Sequence, residues 1–300
     1  MRVSSRVLTV LAMVAVLIAA GMPVFASGQG EAEAGDMYIP VISKGFQHQF
    51  WQTVMSGAED AGEELGVDMV FEGPTSEAAI QEQVQMLQNA LAKDPAAIAL
   101  AALDTNSVMD QLNEAVRRDI PIIGFDSGVP NAPDGAIYAN AATDNYNAAG
   151  MAAEKMFEVL VDQMSGVSPS NPATVVVLSQ DATSESVTSR GFGFRDRMVE
   201  LLTSEAGLSE DMIRVQGNPA YVDSDSPQSN NPAVVIDMVV PASPRTQDVT
   251  ASANAVFNRV GDDNIRGIFA SNEGTVVGIL AATNDGAQLA STYDQVVVVG

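Results

Sequence analysis

Two adjacent aromatic residues, Phe50 and Trp51, follow a short polar segment that contains the only histidine of the chain, His48. Aromatic faces stack on the apolar C–H faces of sugars, and polar neighbours bind hydroxyl groups. We predict that all three side chains contact a small polar ligand. The alternative for the rings is packing into the core, although adjacent helix residues point about 100° apart.

Two further polar segments each begin with a carboxylate, at Asp104 and at Asp126, which precedes Ser127. A carboxylate accepts hydrogen bonds from two hydroxyls at once, which suits it to hold a vicinal diol. We therefore predict that Asp104, Asp126 and Ser127 bind the ligand. For Asp104, capping of a helix or a turn explains the sequence equally well.

An arginine and an asparagine in the second half of the chain complete the candidate site. Arg190 brings a rigid fork of donors that can hold ring and hydroxyl oxygens, and Asn272 offers an amide at a predicted helix start. The alternative for Arg190 is a salt bridge with Asp181 or Glu185, and the alternative for Asn272 is helix capping.

The elements that must position these residues alternate between apolar runs and helical patterns from residue 38 onward. Runs such as VVVL and VVVV show no polar alternation, which is typical of parallel strands covered on both faces by helices. In such sheets ligands bind beyond the carboxyl ends of the strands, where the candidate residues lie. We predict strands at residues 38–43, 67–72, 96–102, 120–125, 136–140, 174–179, 212–217, 265–270 and 295–299, and helices at 50–65, 77–92, 107–118, 145–164, 185–202, 246–260 and 273–286.

This alternation predicts an α/β protein with two doubly wound parallel-sheet lobes, because roughly 265 folded residues exceed one comfortable core. We expect an N-terminal lobe over residues 37–142 and a C-terminal lobe over 143–300. Residues 218–246, rich in Pro, Ser, Asn and Asp around one apolar patch, are predicted to form an insertion, either with its own short hairpin or as a mobile loop. The last valine run needs a covering helix, so we expect the complete protein to continue beyond Gly300.

The first 26 residues have the pattern of a cleavable signal peptide. Arg2 and Arg6 precede an apolar run at residues 7–20, and small residues precede a cleavage point after Ala26. A membrane anchor is the alternative, but the run is short for about 30 Å of hydrocarbon. Residues 27–36 are predicted to form a disordered acidic leader.

Charge and composition exclude several classes of function. The formal net charge is −24, and cleavage after Ala26 leaves −26, because residues 1–26 contain two arginines and no acid. Such a surface repels nucleic acid. The absence of cysteine excludes disulfides, a lipid-modified cysteine and cysteine-bound zinc. With one histidine, most catalytic and metal constellations cannot form, so we expect no enzyme, no cofactor and no metal.

The order and spacing of short motifs across the mature chain carry a resemblance to a known family. The motifs are Phe50-Trp51, Gly57-Ala58, Leu65-Gly66, residues 120–127, Thr143-Asp144-Asn145, Arg190-Gly191-Phe192 and residues 267–273. From residue 38 to 300 the chain resembles the ribose/galactose-type periplasmic sugar-binding proteins, the substrate receptors of ABC importers. The resemblance implies the type I periplasmic binding protein fold.

The resemblance also implies roles for individual residues. Phe50 and Trp51 would flank the sugar ring, Asp126 would bind hydroxyls, and Arg190 and Asn272 would reach in from the second lobe. The role of His48 is less defined, because the family often has an amide near that position. Ser127 stands where ribose receptors carry an arginine, which argues against ribose. Further ligand positions of the family would follow Gly300.

The sequence therefore predicts a periplasmic, monomeric receptor that closes two lobes around a monosaccharide and delivers it to the membrane permease of an ABC importer. The alternative is a sensor that feeds a chemotaxis or two-component receptor. A repressor core shares this pair of lobes, but the place of its DNA-binding helix-turn-helix is taken here by the predicted signal peptide.

Overall fold

The computed structural model describes residues 37–46, 48–164 and 166–300. The signal peptide and the acidic leader predicted for residues 1–36 lie outside these residues. In chain order, the elements are β1 (Tyr38–Ile42), α1 (Gln49–Leu65), β2 (Asp68–Glu72), α2 (Ile80–Ala92), β3 (Ile98–Leu100), α3 (Met109–Arg117), β4 (Ile122–Phe125), β5 (Ile137–Ala141), α4 (Asn145–Met164), β6 (Ala173–Leu178), α5 (Glu185–Ser204), β7 (Ile213–Gly217), β8 (Val234–Val239), α6 (Thr246–Asn258), β9 (Ile265–Ala270), α7 (Glu273–Ala282) and β10 (Val297–Val299). Within the described residues, no helix combines the length and apolarity needed to cross a membrane.

The strands form two separate five-stranded sheets, each the centre of one α/β lobe. The first sheet has the order β2-β1-β3-β4-β5 and the second has the order β10-β9-β6-β8-β7. Every pairing within the two sheets is parallel. The prediction of two doubly wound parallel-sheet lobes is confirmed.

The core of the second lobe explains why β6 is apolar at every position. Val175 and Val177 pack on one side of the sheet with α4 and α5, whereas Val176 and Leu178 pack on the other side with α6 and α7. All six residues of β6 are buried. The absence of alternation in the sequence thus reflects helices on both faces of the sheet.

The core of the first lobe lies between its sheet and helices α2 and α3. Leu87 and Leu91 of α2 and Leu112 of α3 pack with Ile42 and Ile98 of the strands. Strand β5 forms one edge of this sheet and is largely exposed.

Helices α4 and α5 approach each other closely at a glycine. A Cβ atom added at Gly193 would lie 2.0 Å from the backbone carbonyl oxygen of Tyr146, a distance that no side chain tolerates. The glycine therefore lets the two helices pack backbone against backbone and places the middle of α5 next to the start of α4.

Residues 218–246 are not an insertion outside the sheet, as the sequence predicted. They contain β8, which lies between β6 and β7 and was missed. The strand is hard to recognise because polar loops flank it and Asp237 interrupts its apolar run. The Asp237 side chain is 9% exposed and forms an ion pair of 2.6 Å with Arg259. Residues before β8 fold back on β7 through an antiparallel bridge between Arg214 and Gln228.

Candidate functional site

A cavity of about 170 Å³ lies between the two lobes, at the carboxyl ends of their strands. In each sheet the chain adds strands first on one side of its starting strand and then on the other. The starting strand is β1 in the first lobe and β6 in the second, and the cavity lies at the carboxyl ends of these strands. Ligand sites of open α/β sheets occur where the direction of strand addition changes in this way. Six of the eight predicted ligand residues line this cavity, namely His48, Phe50, Trp51, Asp126, Arg190 and Asn272.

The two aromatic rings differ in their burial. Trp51 is 2% exposed and packs edge to face with Phe125 at 6.3 Å, whereas Phe50 is 47% exposed. The rings of Phe50 and Trp51 contact each other at 4.8 Å with planes 78° apart. The indole Nε1 of Trp51 donates a hydrogen bond of 2.8 Å to Glu77. Trp51 thus belongs to the core of its lobe and to the cavity wall at once.

Asp126 lies directly after β4 in a left-handed backbone conformation, with φ of 54°. A non-glycine residue in this region carries strain, which is common at binding sites. Its Oδ2 is buried and lies 3.1 Å from the ammonium of Lys44, with which it forms an ion pair. The side chain is 13% exposed and lines the cavity, so the carboxylate has further acceptor capacity at the wall.

Lys44 is buried directly after β1, with 5% of the residue exposed. Burial alone would lower the pKa of its ammonium group, but the attraction of Asp126, Glu77 and Asp181 outweighs burial and raises that pKa. The lysine therefore stays charged at neutral pH and balances Asp126 inside the cleft.

Gln83 of α2 holds the strand ends that carry the site of the first lobe. Its Nε2 donates to the carbonyl oxygens of Ser43 and Ala101, at 2.8 and 2.9 Å, and its Oε1 accepts from the N–H of Leu103 at 2.9 Å. These bonds join the end of β1 to the end of β3, so the buried amide fixes the segment that bears Lys44.

The second lobe presents Arg190 and Asn272 to the cavity. Arg190 Nε donates to Asn145 Oδ1 at 2.9 Å, and its Nη1 donates to the Ser271 carbonyl at 3.1 Å. Among the described residues it forms no ion pair, so neither Asp181 nor Glu185 neutralises it.

Asn272 caps helix α7 through a capping box with Thr275, as the alternative reading allowed. Its amide nitrogen also donates to Gln180 at the end of β6. Capping orients the amide in the cavity wall and does not remove it from the site.

Asp104 and Ser127 are not brought to the cavity wall. Asp104 accepts hydrogen bonds from the backbone N–H groups of Asn106 and Ser107, at 2.9 and 2.7 Å, and so stabilises a turn. Ser127 is fully buried, and its hydroxyl accepts from the backbone N–H of Ser186 at 3.2 Å. Asp104 therefore has the turn role that the sequence left open, and Ser127 joins the two lobes.

The lobes contact each other directly around the cavity. Ser186 of α5 accepts a hydrogen bond of 3.1 Å from Lys44 Nζ. The Thr183 hydroxyl donates to the Leu103 carbonyl at 3.3 Å, and the backbone carbonyl of Thr183 accepts from the Thr105 N–H at 3.2 Å. On the opposite side, His48 Nδ1 lies 3.8 Å from Glu273 Oε1. The structure therefore represents the closed arrangement of the lobes.

Sequence reasoning missed four polar residues of the cavity wall, namely Lys44, Glu77, Ser186 and Glu273. Lys44 directly follows a predicted strand, which was a usable signal. Glu77 was assigned to a helix that begins at Ile80 in the structure, so its carboxylate is free to reach Trp51. Ser186 gave no signal, because a serine in the first turn of a helix is common.

A comparison with models of protein families shows to which family the chain belongs. A family model described as "Periplasmic binding protein domain" matches residues 39–300. The chain belongs to the periplasmic binding protein family. This confirms the resemblance drawn from the sequence motifs.

Solved structures of periplasmic binding proteins share the fold. A protein from Brachyspira murdochii, described as "ABC transporter, LacI family transcriptional regulator", is 35% identical with a TM-score of 0.64, over 82% of this chain and 68% of that one. An ABC transporter solute-binding protein from Agrobacterium vitis with bound D-fucose is 25% identical with a TM-score of 0.64, over 88% and 76%. A carbohydrate transporter solute-binding protein from Agrobacterium radiobacter in complex with D-arabinose is 25% identical with a TM-score of 0.66, over 88% and 75%.

Proposed function

We propose that this periplasmic binding protein captures a monosaccharide between its two lobes and delivers it to the permease of an ABC importer. The observation that carries the proposal is the cavity between the lobes, where aromatic rings and charged groups from both sheets converge. The two similar solute-binding proteins with bound D-fucose and D-arabinose support a sugar as the ligand.

Each lobe would contribute a different part of the recognition. From the first lobe, Phe50 and Trp51 offer aromatic faces to the C–H face of a sugar ring, and the Asp126 carboxylate accepts hydrogen bonds from hydroxyls. From the second lobe, Arg190 and Asn272 donate to ring and hydroxyl oxygens. A ligand that satisfies both lobes binds the closed form better and shifts the population toward it.

The charges around the cavity disfavour an anionic ligand. Lys44 and Asp126 neutralise each other at 3.1 Å. Arg190 is opposed by the carboxylates of Glu77 and Glu273 in the same cavity wall. The wall therefore has three carboxylates, of Glu77, Asp126 and Glu273, against two cations, and an anionic sugar would add to this excess of negative charge.

The protein would act by binding and release, without catalysis, as a monomer in the periplasm. Its export would depend on the signal peptide predicted for residues 1–26, which is removed after Ala26. Recognition of the closed form by the permease would then couple sugar capture to import.

The proposal is tested by urea unfolding of the mature protein with a panel of pentoses, hexoses and deoxy sugars. A sugar that binds the folded form raises the free energy of unfolding by about 2.7 kcal/mol at about 100 times its dissociation constant. We expect Asp126→Ala to abolish this increase while the protein stays folded.

Asp104→Ala is the matched control, because Asp104 also follows a strand of the first lobe but stabilises a turn away from the cavity. It should lose some stability and keep the response to sugar. A normal response from Asp126→Ala would refute the assigned site, and a panel without any response would refute the sugar.

A further inference from the structure

Glu77 lies in the loop before α2 and lines the cavity beside Trp51. Its carboxylate accepts a hydrogen bond of 2.8 Å from the indole Nε1 of Trp51, across 26 residues of sequence. The indole N–H is the only hydrogen-bonding group of a tryptophan side chain. The protein therefore uses the one polar group of the ring internally, and the ring has no donor left for a ligand.

Other aromatic residues pack against the same ring. Phe50 and Phe125 both contact Trp51 in edge-to-face geometry, with ring planes 78° and 79° from that of Trp51. Contacts of this kind restrict the position of the ring, but they do not specify where its N–H points. A directional hydrogen bond at Nε1 does specify it.

We propose that Glu77 is a positioning residue that fixes the orientation of Trp51, so that the indole presents its face and not its N–H to the cavity. What the ring contacts there rests on the proposed function. When only the face of the indole contacts the ligand, the site selects ligands with an apolar C–H patch, such as one face of a pyranose. It discriminates against ligands that need a hydrogen bond from the indole N–H.

The alternative role for Glu77 is electrostatic. The carboxylate attracts the ammonium of Lys44, which also lies 5.9 Å from the centre of the Trp51 ring. Glu77→Gln separates the two roles, because the amide oxygen still accepts the indole hydrogen bond while the charge is lost. Glu77→Leu removes both the acceptor and the charge.

Trp51 is the only tryptophan of the chain, so its fluorescence reports this side chain alone. Glu77 and Trp51 both belong to the first lobe, so their hydrogen bond does not depend on lobe closure or on ligand. The orientation of the ring can therefore be tested in the protein without sugar, independently of the proposed function.

The experiment compares the mature wild type with Glu77→Gln, Glu77→Leu and a control, Glu59→Leu, which changes an exposed carboxylate on the helix that carries Trp51. Emission maximum, anisotropy decay and acrylamide quenching are measured without sugar. We expect Glu77→Gln and Glu59→Leu to match the wild type. We expect Glu77→Leu to shift the emission, reduce the residual anisotropy and increase quenching.

Calorimetric titration with D-fucose and D-arabinose then tests the consequence for binding. Glu77→Leu should bind the recognised sugar about tenfold more weakly, and Glu77→Gln nearly as the wild type. In a Trp51→Phe background, where no indole N–H exists, Glu77→Leu should cause no further loss.

Unchanged fluorescence in Glu77→Leu overturns the positioning role. Equal losses in Glu77→Gln and Glu77→Leu overturn it in favour of the electrostatic role. If Glu77→Leu makes the Trp51 ring mobile but leaves the sugar affinity unchanged, the orientation of the ring does not contribute to sugar recognition. If neither sugar binds the wild type, the proposed function fails for these sugars, while the fluorescence comparison still decides whether Glu77 positions the ring.

Discussion

Lys44 carries a buried positive charge, and the attraction of three carboxylates keeps its ammonium group protonated. Because its pKa is raised in the folded protein, its contribution to the free energy of unfolding is fully present below the ordinary lysine value of 10.5 and is lost as pH rises through the folded value. We predict that the wild type is more stable than Lys44→Met at pH 9, since the variant leaves Asp126 buried without its partner. This difference should shrink above pH 10.5.

Urea unfolding across this pH range measures the difference directly, and tyrosine titration cancels because both proteins share it. Lys93→Met removes a lysine from an exposed position and controls for the loss of one positive charge. A gap between wild type and Lys44→Met that stays constant with pH would contradict the predicted role of the charge.

At the residue scale, the sequence indicated ligand residues better than it indicated their partners. Candidates such as Phe50 and Arg190 could be predicted because they follow strands whose ends must meet at one edge of a sheet. The pairing of Lys44 with Asp126, and of Trp51 with Glu77, depends on the exact rotation of each loop. Strand order and hydrophobic pattern do not determine that rotation.

At the element scale, Gly193 is the position where helix packing is least tolerant. We predict that Gly193→Ala lowers the free energy of unfolding by about 1–3 kcal/mol, because its methyl group would meet the backbone of Tyr146 and push α4 and α5 apart. Gly57→Ala in α1 meets open space and should raise stability by about 0.5–1 kcal/mol. Urea unfolding compares the two variants. Equal changes in the free energy of unfolding would contradict the close contact between Gly193 and the backbone of Tyr146.

The elements themselves were largely predictable, and the exceptions have physical causes. Strand β6 was recognised because its run of valines lies between two helical segments. Strand β8 was missed because its central Asp237 is compensated only by Arg259, which comes 22 residues later. Helix α2 begins three residues later than predicted, since the residues before Ile80 form a turn that brings Glu77 to Trp51. Long-range pairing, which local pattern cannot encode, explains these differences.

At the scale of the whole molecule, binding depends on how readily the lobes close. Thr183 joins the lobes through its hydroxyl bond to Leu103 but does not line the cavity. We predict that Thr183→Val raises the dissociation constant for sugar about twofold to fivefold, because one hydrogen bond of the closed form is lost.

Calorimetry gives the affinity, and small-angle scattering gives the fraction of closed protein. Thr203→Val is a suitable control, since the Thr203 hydroxyl bonds only within α5, to Val199 and Glu200. If Thr183→Val matches the wild type in affinity and in closed fraction, the contact between Thr183 and Leu103 does not contribute to closure.

The distribution of lysines has a practical consequence. Lys44 is the only one of the three lysines that lies in the cleft, where it is buried and charged, whereas Lys93 and Lys155 are exposed on the outside of the lobes. Amine-directed dyes and surface couplings will therefore attach to side chains remote from the cleft. Lys93 and Lys155 are therefore suitable positions for immobilising or labelling the protein as a biosensor without blocking the entrance.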